Sequence, residues 1–373
     1  MRDIVEIGLG KTARRGYHLD DVALTASRRT RGSKDVSIAW QIDAHQFDLP
    51  LVAAPSDAVV SPATAREVDR LGGLAVLNGE GLWARYPDPE PLFDQIRSDG
   101  APDDLMRRLY AEPVRPELVA QHINDLNKSG ARVAVRLSPQ HTLAHAQAIV
   151  DAGVDILVIQ GTVVSAEHVA MGREALNLKT FIADLDIPVI VGGCANYQTA
   201  LHLMRTGAAG IIVGYGAYRG STTPRMLGID VPMATAIADA AAARRDYLDE
   251  TGGRYVHIVA HGDISTGGDI AKAVACGADA VMLGEPLALA AETPGGGTYW
   301  DATVSHPKLP RSELLRLVAD GDRIPLTEVL LGPTADPSGA RNLFGGLRRA
   351  MAKCGYSNVK EFQRAELTLA HRG

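Results

Sequence analysis

The run from Ile270 to Leu283, Ile-Ala-Lys-Ala-Val-Ala-Cys-Gly-Ala-Asp-Ala-Val-Met-Leu, decides the fold. Its first half reads as a helix ending at Cys276, Gly277 suits the position just past a helix end, and Ala280 to Leu283 is apolar at every position. A strand with no polar alternation is one covered on both faces, the mark of a parallel sheet. The same grammar recurs outward along the chain. Strand-like runs are Leu51 to Ala54, Gly73 to Leu77, Arg132 to Leu137, Asp155 to Ile159, Ile187 to Val191, Gly210 to Val213, Tyr255 to Ala260 and Ala280 to Leu283. Helical stretches lie between them at Pro62 to Leu71, His141 to Ala152, Tyr197 to Thr206 and Ile270 to Cys276. Eight such units predict an α/β protein built as a (β/α)₈ barrel, one domain over 1–373, in preference to a doubly wound sheet. Gly8-Leu9-Gly10 follows no strand, so it does not read as a dinucleotide loop.

Composition narrows the partners. The chain has 373 residues, 46% hydrophobic and 22% charged, with 38 Lys and Arg against 44 Asp and Glu, a formal charge of −6. That balance lacks the broad basic field that non-specific nucleic-acid or anionic-membrane binding needs. Cys194, Cys276 and Cys354 are odd in number and have no paired spacing, which argues against a disulfide framework or a structural zinc site; no metal is expected. No stretch is long and apolar enough to cross a membrane, and Met1 to Gly10 has no signal pattern, so a cytoplasmic location is expected.

Two connections are long. Residues 78–131 contain Pro87-Asp88-Pro89-Glu90-Pro91 and Gly100-Ala101-Pro102-Asp103 and read as a surface excursion. Residues 214–254 follow the sixth strand and hold Arg219-Gly220-Ser221-Thr222-Thr223-Pro224-Arg225; barrel chemistry lives on loops after strands, so this polar loop is the first place to look. Arg14-Arg15, Arg28-Arg29 and Arg31 read as a solvated cluster or a ligand site.

The chain resembles the IMP dehydrogenase/GMP reductase family, in its short branch without paired regulatory CBS domains. The residues that carry the likeness are Tyr17-His18-Leu19-Asp20-Asp21-Val22, Ala53-Ala54-Pro55-Ser56-Asp57, Gly72-Gly73-Leu74-Ala75-Val76, Asp151-Ala152-Gly153-Val154-Asp155, Val213-Gly214-Tyr215-Gly216, Gly268-Asp269-Ile270-Ala271-Lys272-Ala273, Gly277 through Gly284, and Gly345 through Met351. The resemblance implies hydride transfer between a purine nucleotide (IMP, GMP or XMP) and NAD, through a cysteine thiolate that adds to C2 of the purine. It also implies a homo-oligomer, a tetramer in relatives. A thiol is partly ionised near neutrality and strongly nucleophilic, whereas a serine needs an adjacent base.

The departures from the family pattern matter most. Laid on the family loop, Ser221 takes the place of the cysteine, followed by Thr222 and Thr223. The ribose-holding Asp becomes His261, with Asp263 two residues on as a substitute; the cofactor-facing positions become Gln160 and Gly193; a phosphate-binding Ser becomes Glu285. No Arg-Tyr pair occurs between Trp300 and Pro325, within a short flap region at 296–326, so the family's water-activating base is missing. What the resemblance retains is the scaffold of a nucleotide site: Ser56, Gly214, Gly216, Thr222, Thr223, Gly262 and Gly284, with Ser221 and Thr223 at the catalytic positions; Arg219 and Asp263 are added as substrate-binding candidates, and phosphate is expected near Arg219, Gly262 and Gly284. Gly214, Gly216 and the carbonyls near Ser221 stand where relatives hold a monovalent cation; turn glycines with no ion account for them equally well.

Other assignments stay open on sequence. Ser221 is a nucleophile or a polar loop residue. Cys194 is a relocated thiol or a small core residue. His261 is a general base or a hydrogen-bonded loop histidine. The resulting expectation is a family member with a degenerate catalytic loop and weak or no NAD-dependent IMP oxidation; the alternative is a silent nucleotide-binding or subunit-interaction protein.

Overall fold

The computed structural model describes residues 4–26, 29–98, 104–166, 168, 175–217, 219–306 and 312–369. Eight parallel strands close a barrel: β1 (Leu51–Ala53), β2 (Leu74–Asn78), β3 (Ala134–Leu137), β4 (Ile156–Gln160), β5 (Val189–Cys194), β6 (Gly210–Ala217), β7 (His257–Gly262) and β8 (Ala280–Leu283). The ring is sealed by β8 against β1, with Val281, Met282 and Leu283 opposite Leu51, Val52 and Ala53. All eight expected runs are therefore strands of one closed sheet.

The third, fifth and seventh strands begin two residues later than expected, at Ala134, Val189 and His257, and larger differences lie at the C-terminal ends. The fifth, sixth and seventh strands were expected to stop at Val191, Val213 and Ala260, yet they run on to Cys194, Ala217 and Gly262. Glycine reads as a terminator, but here it continues a strand because neighbouring backbones approach too closely for a side chain. A Cβ on Gly193 would lie 2.1 Å from the Gly214 carbonyl oxygen, and one on Gly214 would lie 2.1 Å from that of His261. These three strands thus reach further toward the active face than their apolar runs suggest.

Inside the barrel, Val52, Val76, Ile156, Val158, Ile190, Ile212, Val259 and Met282 pack together. At the N-terminal end Trp40, Ile42 and Phe47, from a hairpin of Trp40–Ile42 and His45–Phe47, join the same cluster. A plugged bottom leaves the opposite end as the open one. Outside, α1 (Pro62–Arg70), α2 (Pro116–Lys128), α3 (Thr142–Asp151), α4 (Leu178–Ala183), α5 (Tyr197–Met204), α6 (Met233–Thr251), α7 (Gly267–Cys276) and α8 (Leu343–Lys353) cover the strands. The expected excursion at 78–131 is shorter than its breakers suggested: α2 packs on α1 and α3, so that helix belongs to the outer ring. The rest of the segment carries helices Glu90–Arg97 and Leu105–Leu109, with Phe93 and Tyr110 buried. Tyr110 ties it down, donating its hydroxyl to Asp57 Oδ2 at 2.5 Å and accepting from Trp300 Nε1 at 3.0 Å.

Candidate active site

The C-terminal ends of β6, β7 and β8 form one wall of a cleft of about 1130 Å³, and the segment His18 to Asp21 forms another. Of the residues singled out in the sequence, Gly216, Arg219, His261, Gly262, Asp263, Gly284 and Glu285 line it. Ser56, Gln160, Gly193, Gly214, Ser221, Thr222 and Thr223 are not among its lining residues. The scaffold expected from the sequence therefore divides: the seventh- and eighth-strand positions line the cleft together with Gly216 and Arg219, and the remaining positions are not among its lining residues.

Both permanent cations of the cleft are paired with carboxylates. Arg219 Nε donates to Glu285 Oε1 at 2.7 Å, and its backbone N–H lies 3.4 Å from Glu285 Oε2. Lys272 Nζ lies 3.1 Å from Asp269 and 3.6 Å from Asp20, and His18 Nδ1 lies 3.6 Å from Asp263. The start of α7 is closed by a capping box: Thr266 Oγ1 accepts from the Asp269 N–H, and Asp269 Oδ2 accepts from the Thr266 N–H. Burial pushes the Asp263 carboxyl above its ordinary value, and Asp230 and Asp20 add to that against the opposing pull of His18.

His261 is buried at the end of β7 and burial holds its pKa below the ordinary value, with Asp301 pulling the other way. The Gln160 amide lies against its Nδ1, with Nε2 at 3.2 Å. This contact is the one expected of a hydrogen-bonded loop histidine. Gly216 allows the contact, since a Cβ there would lie 2.8 Å from the His261 ring. Gly284 serves a similar end, its missing Cβ leaving room for the Tyr299 hydroxyl.

Sequence reasoning missed a second polar cluster, on the β2–β3 side of the barrel mouth. Glu80 accepts from His141 Nδ1 at 2.8 Å, Ser138 Oγ at 3.1 Å and the Ser138 N–H, and Arg136 NH1 lies 3.7 Å away. Burial pushes this carboxyl up, but Arg136, His141 and the Ser138 bond overcome it and leave Glu80 at about 2. Arg136 also donates to the Gln160 carbonyl at 2.8 Å, joining this cluster to the His261 contact. Only the polar Arg136 within an apolar strand hinted at it.

The loop that carries Ser221 is strapped down. Ser221 pairs with Ser312 as an isolated bridge, the Glu313 N–H donates to the Gly220 carbonyl at 2.9 Å, and Arg225 pairs with Glu313. Thr223 begins the short helix Thr223–Leu227 and is buried, with Thr222 as its cap. Ser56 donates to the Trp300 carbonyl at 2.5 Å and accepts from the Ala58 N–H at 3.1 Å, a structural use that takes it out of the expected ligand set. Cys194 is fully buried, its thiol pushed up to about 12 by burial and donating to the Ile212 carbonyl at 3.4 Å. It is a core residue, not a relocated nucleophile. Arg14 pairs with Asp239 and Arg31 Nε donates to the Gly355 carbonyl at 2.8 Å, whereas Arg28, and residues 307–311 of the flap region, lie outside the described residues.

The positions assigned to NAD by resemblance do not fit it. Gly193 brings no polar group, and its neighbourhood is filled by the Gly214 carbonyl; the Gln160 amide is turned to His261, and its Oε1 is sealed without a partner. Among the described residues no group of three or more His, Cys, Asp or Glu is placed to hold a metal ion, and no helix is long and apolar enough to cross a membrane.

Residues 16–305 match the family profile described as "IMP dehydrogenase / GMP reductase domain". The chain is 57% identical to a protein of Mycobacterium tuberculosis (strain ATCC 25618 / H37Rv) described as an uncharacterized oxidoreductase, over 98% of this chain and 100% of that one. It is 30% identical to the inosine-5'-monophosphate dehydrogenase of Methanocaldococcus jannaschii, over 70% of this chain and 53% of that one. The crystal structure of an IMP dehydrogenase/GMP reductase-like protein from Corynebacterium glutamicum superposes with a TM-score of 0.93 at 50% identity, covering 99% of this chain and 98% of that one.

Proposed function

Because this chain belongs to the IMP dehydrogenase/GMP reductase family, we propose that it binds a purine ligand in the β6–β8 cleft while lacking the family's thiolate redox step. The observation that carries this reading is Ser221. By the family resemblance it stands at the nucleophile's position, and it is bridged to Ser312. A serine hydroxyl attacks only when a base removes its proton. The buried Cys194 thiol, pushed up to about 12, is no replacement nucleophile, and His261 makes its hydrogen bond with the Gln160 amide and not with Ser221. NAD-dependent oxidation of IMP is weak or absent on this account.

The family's ligands IMP, GMP and XMP define the ligand class, and their shared purine is the part the cleft is proposed to hold. Assembly into a homo-oligomer follows from the same family reading. A second reading, a silent binding or subunit-interaction protein on the same barrel, is favoured by the unfitting NAD positions at Gly193 and Gln160. Steady-state assay of IMP with NAD tests the proposal. The expected result is turnover orders of magnitude below the cysteine-bearing relatives, and robust turnover by the parent protein overturns it.

A further inference from the structure

An anionic group enters a protein where cations and backbone N–H groups are free to meet it. In the β6–β8 cleft both side-chain cations and the N-terminus of α7 already hold carboxylates of the chain itself. Arg219, the expected phosphate ligand, is taken by Glu285 at 2.7 Å. The N-terminus of α7, the natural anion cradle after β7, is capped by Asp269, whose Oδ2 accepts from the Thr266 N–H at 3.1 Å and from the Ser265 N–H at 3.3 Å. Lys272 sits between Asp269 and Asp20. Around the whole cleft the carboxylates are Asp20, Asp21, Asp230, Asp263, Asp269 and Glu285, against Arg219 and Lys272 as the permanent cations, a formal excess of four negative charges.

From these pairings we infer that the cleft takes a purine without a phosphate, a nucleobase or nucleoside, and rejects the corresponding monophosphate. The inference rests on the proposal that this cleft is the purine site. A phosphate would have to displace Glu285 or Asp269 from its partner and would then leave that carboxylate unpaired beside it, a like-charge contact in a partly buried space. A nucleoside brings only neutral N–H and O–H donors. Carboxylates such as Asp263, beside His18 on the cleft wall, are natural acceptors for them.

Titration calorimetry at physiological ionic strength tests this, with inosine, guanosine and xanthosine compared against IMP, GMP and XMP on the parent chain and on Glu285→Gln. The expected result is that a nucleoside binds the parent at least about tenfold more tightly than its monophosphate, a gap of about 1.4 kcal/mol. Glu285→Gln frees Arg219 and removes one charge, and it should close most of that gap by tightening the monophosphate alone. Parent affinity for a monophosphate equal to or greater than that for its nucleoside overturns the inference and leaves the purine reading standing. Equal tightening of both classes by Glu285→Gln also overturns it, since the carboxylate would then act only by bulk. Binding of neither class overturns the inference together with the purine reading.

Discussion

Arg219 and Glu285, from the loops that follow β6 and β8, form an ion pair across the cleft mouth, with NH2 of the arginine 2.5 Å from Oε1 of the glutamate. Arg219 is 75% exposed and Glu285 only 15%, so the pair joins a surface arginine to a largely buried carboxylate. Taken singly, Arg219 reads as a phosphate ligand and Glu285 as its opponent. As a pair they cancel each other, and the cleft is left with the acidic balance of its other walls.

Restoring the sulfur should not restore the reaction. Ser221→Cys supplies a thiol on a loop bridged to Ser312, and the Arg-Tyr pair that the family resemblance leads one to expect between Trp300 and Pro325 stays missing. NADH formation from IMP is expected to remain at the parent's level in this variant. Robust turnover would confine the defect to the nucleophile.

Asp57 sets a pH dependence of stability. It is fully buried, and burial pushes its carboxyl up to about 6 against the pull of the Tyr110 bond and Arg85. Between the usual carboxylate range near 4 and about 6, the folded state holds the proton that the unfolded state has lost, so stability falls as pH rises through that window. The penalty above it is roughly 3 kcal/mol at most. Asp57→Asn keeps an acceptor for the Tyr110 hydroxyl and removes the penalty. Urea denaturation from pH 4.5 to 7.5 should show the variant gaining on the parent as pH rises; a constant offset across the range would refute this.

Asp279 works the other way. It accepts from Arg244 NH1 at 2.6 Å, Tyr255 Oη at 2.7 Å, the Ile258 N–H at 2.8 Å and Lys360 Nζ at 2.8 Å, tying the entry of β8 to the C-terminal segment. Burial pushes this carboxyl up, but Arg244, Lys360 and His257 hold it down at about 2, so its contribution is present above the usual carboxylate range and is lost only as pH falls toward that value. Asp279→Asn strands the buried Arg244 guanidinium, and a loss of roughly 3 to 5 kcal/mol is expected in chemical denaturation. A loss under about 1 kcal/mol would show that Tyr255 and Gln363 suffice to hold Arg244.

Much of the fold was legible because its signals are local. Each barrel strand is an apolar run closed by a turn residue, and Gly72, Gly153, Gly207 and Gly277 do stand just past helix ends with positive φ. The extension of β5, β6 and β7 through glycines was not, because a close approach between neighbouring strands is invisible to a reading along one strand. The site was legible by position only. Arg219, Asp263 and Glu285 were picked out, but which cation meets which carboxylate depends on loops separated by tens of residues, and so does the Glu80, Arg136 and His141 cluster. The proline-rich start of residues 78–131 masked α2, since its breakers precede the helix and do not interrupt it.

Intact-mass spectrometry of the protein quenched during incubation with IMP and NAD looks for the covalent step itself, since the reaction implied by the family resemblance passes through a bond between the enzyme and purine C2. The account predicts that the chain keeps its unmodified mass of 39.6 kDa at every time point. A population heavier by one purine nucleotide, mapped to Ser221 or to any of the three cysteines, would contradict it.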